Sequence, residues 1–407
     1  MAAAEAAASP RQSARFLYLY ALAVAGGAVA YVPFLTILLP VRVTSLGDAD
    51  AVSALAYIAF AGAISASLSN IGFGWLSDLT RCRRPWIIAG LALSCALLMS
   101  VRTATSVPAL IAVIVVWQAC LNMMLAPLAA WAGDCVPDRQ KGLLGGLLSF
   151  APALGAVSGA IVTVPALASA DARLGLVAAM VAGLVLPVVA FGAPRPMPHL
   201  MTRTEPKGAA PPPVDPTGRT AIARMWLARL LVQLAEAVLF AFLLLWFRSI
   251  EPAYGDNDAA TLLSIVLCVG VPMALLTGRW SDSADRPIMP LAVSAAIVAG
   301  GLLLMALAPT LGWAIAGYVV FGIASTVFLS LHSSQTLRVL TRPARRGRDL
   351  GLFNLTNTVP SLIMPWFALA LVPTFGFDAL FLLLAGLSTM ACLLLLSIVR
   401  TVRREAR

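Results

Sequence analysis

Glu236 is the acidic residue of this 407-residue chain that lies deepest inside a long apolar run. Arg229 and Gln233 precede it by seven and three residues and Phe240 follows by four, spacings that set all four on one face of a helix. A charged group at the centre of a bilayer costs about 2.5–3.5 kcal/mol on insertion scales, which makes each one a functional candidate by default. Two kinds of chemistry are open to Glu236. It can take up and release a proton, with desolvation and a neighbouring arginine acting in opposite senses on that equilibrium. It can also serve as a structural partner for Arg229 or for a polar group across a helix bundle. Arg229 in turn suits an anionic substrate, or can reach back along its stem to the membrane interface.

Uncharged polar residues form a second set. Trp117, Gln118 and Asn122 fall together, the two amides four residues apart, and Asn354, Asn357 and Ser361 recur at i, i+3 and i+7. Tyr31 and the pair Ser325–Thr326 sit inside other apolar runs. Amides and aromatic rings in a mostly apolar pocket suit a neutral, hydroxylated small-molecule substrate. Hydrogen bonds between helices are the competing explanation for each of them. His332 is expected to cap the end of its helix and is not counted as a site residue.

Other chemistry finds no support in the residue pattern. Six cysteines are scattered without a CxxC pair or a metal-like spacing to His199 or His332. The chain contains no GxxxxGK[ST] phosphate loop, so a self-contained ATP-driven pump is not expected. Without a nucleophile–base constellation or a redox motif, the chain reads as a non-enzyme with no cofactor and no metal.

The elements that must position these residues follow from composition. Hydrophobic residues make up 60% of the chain, charged residues 11%, and the mean hydropathy is +0.91. Soluble domains are about half apolar and a quarter charged. The apolar residues fall in runs of roughly twenty, the length that crosses ~30 Å of hydrocarbon as a helix. Twelve such spans are expected, near 16–41, 51–76, 86–104, 107–133, 143–166, 174–194, 221–247, 259–277, 287–308, 311–337, 350–374 and 377–399. The fold class is therefore an all-α membrane protein of twelve transmembrane helices.

The net charge of +10 is topogenic, because its residues sit in short segments between spans. No nucleic-acid partner is implied. With both termini cytoplasmic, the outside loops hold only Arg42, Arg102, Arg173 and Arg248 of the 28 Lys and Arg, as the positive-inside rule requires. The Pro-rich stretch from Arg195 to Arg219 reads as a flexible linker. It separates an N-terminal bundle (1–194) from a C-terminal bundle (221–407), with the linker at 195–220. A prokaryotic plasma membrane and a monomer are the expected setting, since no small-residue patch argues for a dimer.

The two halves repeat each other. Gly74-Trp-Leu-Ser-Asp78 follows span two and Gly278-Arg-Trp-Ser-Asp282 follows span eight. Lys141-Gly-Leu-Leu-Gly-Gly146 opens span five and Arg346-Gly-Arg-Asp-Leu-Gly351 opens span eleven. The two displacements differ by one residue, as expected of duplicated six-helix halves.

These motifs carry a family resemblance. Gly74 through Asp78, followed by Arg81, Arg83 and Arg84, resembles the loop signature of the major facilitator superfamily between its second and third helices. Its SD-x-TR-x-RRP form is most similar to the glycoside–pentoside–hexuronide:cation symporters and the sucrose-type proton symporters. Gly133-Asp134 through Gly142 and Arg346 through Pro360 also resemble that branch. The resemblance implies two pseudo-symmetric six-helix bundles and secondary active transport by alternating access. It implies a proton as coupling ion and a sugar-like solute, with a drug or metabolite exporter or a non-transporting assembly factor as alternatives. It also implies a cytoplasmic latch of Gly74, Asp78, Arg81, Arg83, Arg84, Gly278 and Asp282, with Asp78 set against the start of span eleven. Melibiose-type members carry acidic residues in their early helices, whereas spans one and two here have none, which disfavours sodium and leaves Glu236 as the coupling carboxylate.

Overall fold

The computed structural model describes residues 11–47, 50–165, 167–195, 197, 216–283, 288–339 and 346–405. Within helices, side chains are not described at 138, 139, 141, 142, 170, 171, 216–219, 282, 283, 333–339, 346–355, 357 and 400–405. The described residues are helical apart from turns and connections, and contain no strand.

Local chemistry explains where the helices start and break. Ser13 caps α1 (Ala14–Pro33) by accepting the Phe16 amide at 3.2 Å. The first span continues through a π turn at Phe34–Leu38 into α2 (Leu39–Ser45). Pro33 and Pro40 bracket that turn; neither can donate to the residue four before it, and a wider turn accommodates the interruption. Next come α3 (Ala51–Leu79), α4 (Arg84–Ser100) and α5 (Val107–Cys135), the last capped by Ser106. Span five, expected as one run, is divided into α6 (Asp138–Leu148) and α7 (Ala151–Val162). Pro152 in the first turn of α7 supplies no amide to carry the ladder back. Ser169 caps α8 (Ala170–Phe191).

The second half comprises α9 (Pro216–Ile250), α10 (Asp256–Ser283), α11 (Met289–Ala306), α12 (Leu311–Val339) and α13 (Arg346–Glu405). Helix α9 begins five residues earlier than the sequence suggests, so the Pro-rich linker shortens; most of the rest of it lies outside the described residues. Helix α13, 60 residues long, would measure ~90 Å if straight, far more than a bilayer. Gly376, at φ 75 and ψ −179, breaks it into two arms, a conformation open only to glycine. Among the described residues eleven helical stretches are long and apolar enough to span, and dividing the last at Gly376 makes twelve.

Two compact units emerge: Met1–Phe34 with Ile64–Glu205, and Leu35–Ala63 with Pro206–Arg407. The first span thus contributes to both, changing unit at its π turn. In the first unit α1 is the buried centre, packed on α7 and α8, while α4 packs on α5 and α8. In the second, α9 packs on α13 and α12, and α11 packs on α12 and α13. The first span and α9 are the two most buried of all. Large apolar side chains such as Leu68, Ile71 and Leu276 are exposed within their units.

Glycines mark the tightest helix pairs, and the loop-motif glycines are not among them. A Cβ on Gly74 would meet nothing within 4 Å, and one on Gly278 only Leu331 at 3.6 Å, so neither glycine serves a close approach. A Cβ on Gly90 of α4 would run into the backbone of Met123 and Met124 of α5. Gly301 of α11 would meet the Phe321 amide of α12 at 2.6 Å, and Gly317 the Met305 amide at 2.9 Å. Both units therefore use the same close packing of their third and fourth spans. Gly90→Ala and Gly301→Ala should each lose about 1–3 kcal/mol of stability through overpacking, whereas Gly74→Ala should lose none. Thermal unfolding of the detergent-purified proteins, followed by loss of the monodisperse peak, checks this.

Candidate functional site

A seam of polar contacts joins α9 to α12. On α9, Met225, Arg229, Gln233 and Glu236 follow one another along one face; on α12, Ser325, Leu329 and His332 recur at i, i+4 and i+7. At the upper end the Ser325 hydroxyl donates to Glu236 Oε1 at 3.2 Å. Lower down, the Arg229 guanidinium donates through Nε to Thr356 Oγ1 of α13 at 3.0 Å. Its Nη1 reaches the Leu329 carbonyl and His332 Nδ1, both at 3.5 Å. The other ring nitrogen of His332 lies 2.9 Å from the Met225 carbonyl. Thr356 and His332 are fully buried, and Ser325 nearly so. Arg229 and Glu236 are both described yet do not approach within ion-pair distance; the ion pairs recorded among the described residues belong to Arg83.

The sequence reading thus set Arg229, Gln233 and Glu236 on one helix face, and the structure supplies the partners on α12 and α13. It missed His332, whose i+7 spacing from Ser325 was visible, and Thr356, whose neighbours Asn354 and Asn357 drew the eye. The side chains of Asn354, Asn357 and Asp282 lie outside the described residues. Ser361, half-buried, lies further along α13.

In the first unit the amides face a different environment. Asn122, nearly buried, accepts from Asn70 of α3 at 3.1 Å and donates to the Gln118 carbonyl at 2.9 Å. Asn70, the lone amide of its span, went unremarked. Trp117 is 1% exposed and packs edge-on against Phe34, centroids 4.8 Å apart. Tyr31 and Gln118 are half-buried.

The loop signature forms a compact charge cluster. Arg81 adopts φ 51 and turns the chain between α3 and α4, its amide donating to the Asp78 carbonyl at 3.2 Å. Arg83 then reaches Asp78 at 2.5 Å, Asp134 at the end of α5 at 2.9 Å, and the Ser77 hydroxyl at 2.6 Å. Burial works against the Arg83 charge, but its hydrogen bonds and charge interactions with Asp134 and Asp78 prevail and hold its pKa above the ordinary guanidinium value. Arg84 lies over the Trp131 ring at 5.5 Å. The helix start against which the sequence reading sets Asp78, 346–355, has no described side chains.

An all-helical, multi-span chain whose interior polar groups sit on facing helices, with no nucleophile–base pair among them, has the make-up of a membrane transporter. The chain belongs to the Major Facilitator Superfamily, whose sequence profile matches residues 16–340. Uncharacterized transporters of this type from two Mycobacterium tuberculosis strains are 28% identical over 234 residues, 56% of this chain and 51% of theirs. The match thus spans about half the length of those relatives. Among solved structures, a bacterial homologue of the human lysosomal transporter Spinster, inward-facing and occupied, gives a TM-score of 0.69 at 13% identity. That likeness covers 95% of this chain and 96% of the other. A nucleoside transporter gives a TM-score of 0.70 at 14% identity, covering 94% and 99%. The fold is that of this superfamily, and the chain is a multi-pass membrane protein.

Arg83→Gln should lower stability by about 1 kcal/mol, since its partners are part-exposed and screened, and by less in 1 M salt. A group whose folded-state pKa is raised keeps its contribution at every pH below its unfolded value. The difference between wild type and Arg83→Gln should therefore not fade between pH 7 and 9. Thermal unfolding across that range tests it.

Proposed function

We propose that this chain is a proton-coupled secondary transporter that carries a small organic solute, sugar-like in character, by alternating access. The observation that carries the reading is Glu236. It stands midway along α9, the most buried helix of its unit, with its carboxylate turned to a serine hydroxyl and no arginine among the described residues within ion-pair reach. A carboxylate so placed can exchange a proton when water reaches it, which is what coupling requires. Two bundles, 1–194 and 221–407, joined by the 195–220 linker, are the bodies that move in this reading. The charge cluster at Asp78 and Arg83 biases the conformational equilibrium without touching substrate. The sugar-like preference draws on the branch resemblance of residues 77–85 and on the amides Asn70, Gln118 and Asn122. The asymmetry of Lys and Arg supports cytoplasmic termini in a prokaryotic plasma membrane, and a monomer suffices.

Glu236→Gln, purified and reconstituted in liposomes, provides the test. A panel of sugars and organic acids under an imposed pH gradient identifies the solute first. Gradient-driven accumulation should then fall by a factor on the order of 10–100, the size of a typical coupling between two ligands. Substrate exchange without net proton movement should persist. Accumulation by Glu236→Gln at the wild-type level would remove Glu236 from the coupling role.

A further inference from the structure

Two described contacts of His332 favour one tautomer of its ring. Nε2 faces a carbonyl, that of Met225, which only accepts, so this nitrogen carries the hydrogen. Nδ1 faces the Arg229 guanidinium, which only donates, so this nitrogen is bare. The ring is wedged against Phe328, centroids 5.6 Å apart, and is fully buried. Among its described contacts, Arg229 is drawn toward α12 and α13 by three acceptors: the Thr356 hydroxyl, the Leu329 carbonyl and His332 Nδ1. Of the three, only the imidazole nitrogen ceases to be an acceptor on taking a proton.

The geometry matters because Arg229 and Glu236 share a helix face. Seven residues separate them by ~10 Å of rise; side chains on a helix lean toward its N-terminus, so Glu236 leans toward Arg229 while Arg229 leans away, and an approach needs the long guanidinium arm to swing back along the helix. A guanidinium freed from α12 has a carboxylate within the combined reach of the two side chains. An ion pair there would hold Glu236 charged and leave it nothing to exchange.

We propose that His332 is a positioning residue: as the Nε2–H tautomer it binds Arg229 through Nδ1 and keeps the guanidinium out of an ion pair with Glu236. The inference rests on the coupling role proposed for Glu236, but its structural half stands by itself and is tested separately.

Two experiments separate the halves. The chain has only two histidines, His199 and His332, so a His199→Gln protein labelled with ¹⁵N-histidine reports on His332 alone. At pH 7 the spectrum should show a neutral ring protonated at Nε2, and Arg229→Gln should move the Nδ1 resonance. An imidazolium, an Nδ1–H tautomer, or an Nδ1 resonance indifferent to Arg229→Gln would overturn the proposal whatever Glu236 does. The second experiment compares His332→Asn, whose amide oxygen replaces Nδ1 as acceptor, with His332→Leu, which offers none. In liposomes His332→Leu should lose gradient-driven accumulation by ~5-fold or more, the lower end of a coupling term, while exchange is kept. His332→Asn should recover most of the loss. Equal losses in the two variants, or an equal loss of exchange, would reduce His332 to packing. If instead Glu236→Gln accumulates normally while the NMR result holds, the coupling reading fails and the His332–Arg229 contact survives.

Discussion

A charge carried into hydrocarbon must be met by polar groups from other helices, and that requirement organises the second unit. Arg229 is the clearest instance. Its guanidinium cannot be deprotonated at any working pH, and lipid offers it no acceptor. The acceptors come from α12 and α13. Because they arrive on two different helices, meeting the charge also ties three helices into one packing unit. The most buried helix of the unit, α9, is the one that carries Arg229 and Glu236.

The backbone obeys the same rule. An interrupted helix inside a bilayer needs its freed carbonyls and amides satisfied nearby, and the breaks fall where the residues leave no alternative. Pro33 and Pro40 open the first span into a π turn, Pro152 divides the fifth, and Gly376 supplies the reversal between the last two. The π turn is also where the first span passes from one compact unit to the other. Its two sections therefore pack in different surroundings.

Twelve spans were legible because hydrophobic length is a one-dimensional signal, and even the short connections after spans three and nine appear as helix ends. The divided fifth span was not, since Pro152 sits inside an unbroken apolar run. Tight packing between helices was not legible either. Gly74 and Gly278 lie near the ends of α3 and α10 with no backbone close to them, whereas contacts that exclude a side chain lie at Gly90, Gly301 and Gly317. The site was half legible: helical spacing put Arg229 and Glu236 on one face. Which helix answers them is a tertiary fact. His332 could be read as a cap from its place near the end of a span, although the ring turns inward against Arg229 and Met225.

The partner given to Glu236 bears on whether that carboxylate can couple anything. An arginine can only donate, and so favours the ionised form in every conformation it can reach. A group held charged throughout has no differential affinity for a proton between states, and without that difference a proton shifts no equilibrium. A serine hydroxyl is different. It donates to a carboxylate, as Ser325 does here, and by rotating it accepts from a carboxylic acid. Ser325 thus satisfies Glu236 in either protonation state and leaves the choice to whatever else changes around it. Keeping the nearby guanidinium occupied elsewhere preserves that freedom, so the contacts that compensate Arg229 and those that leave Glu236 uncommitted are two sides of one arrangement.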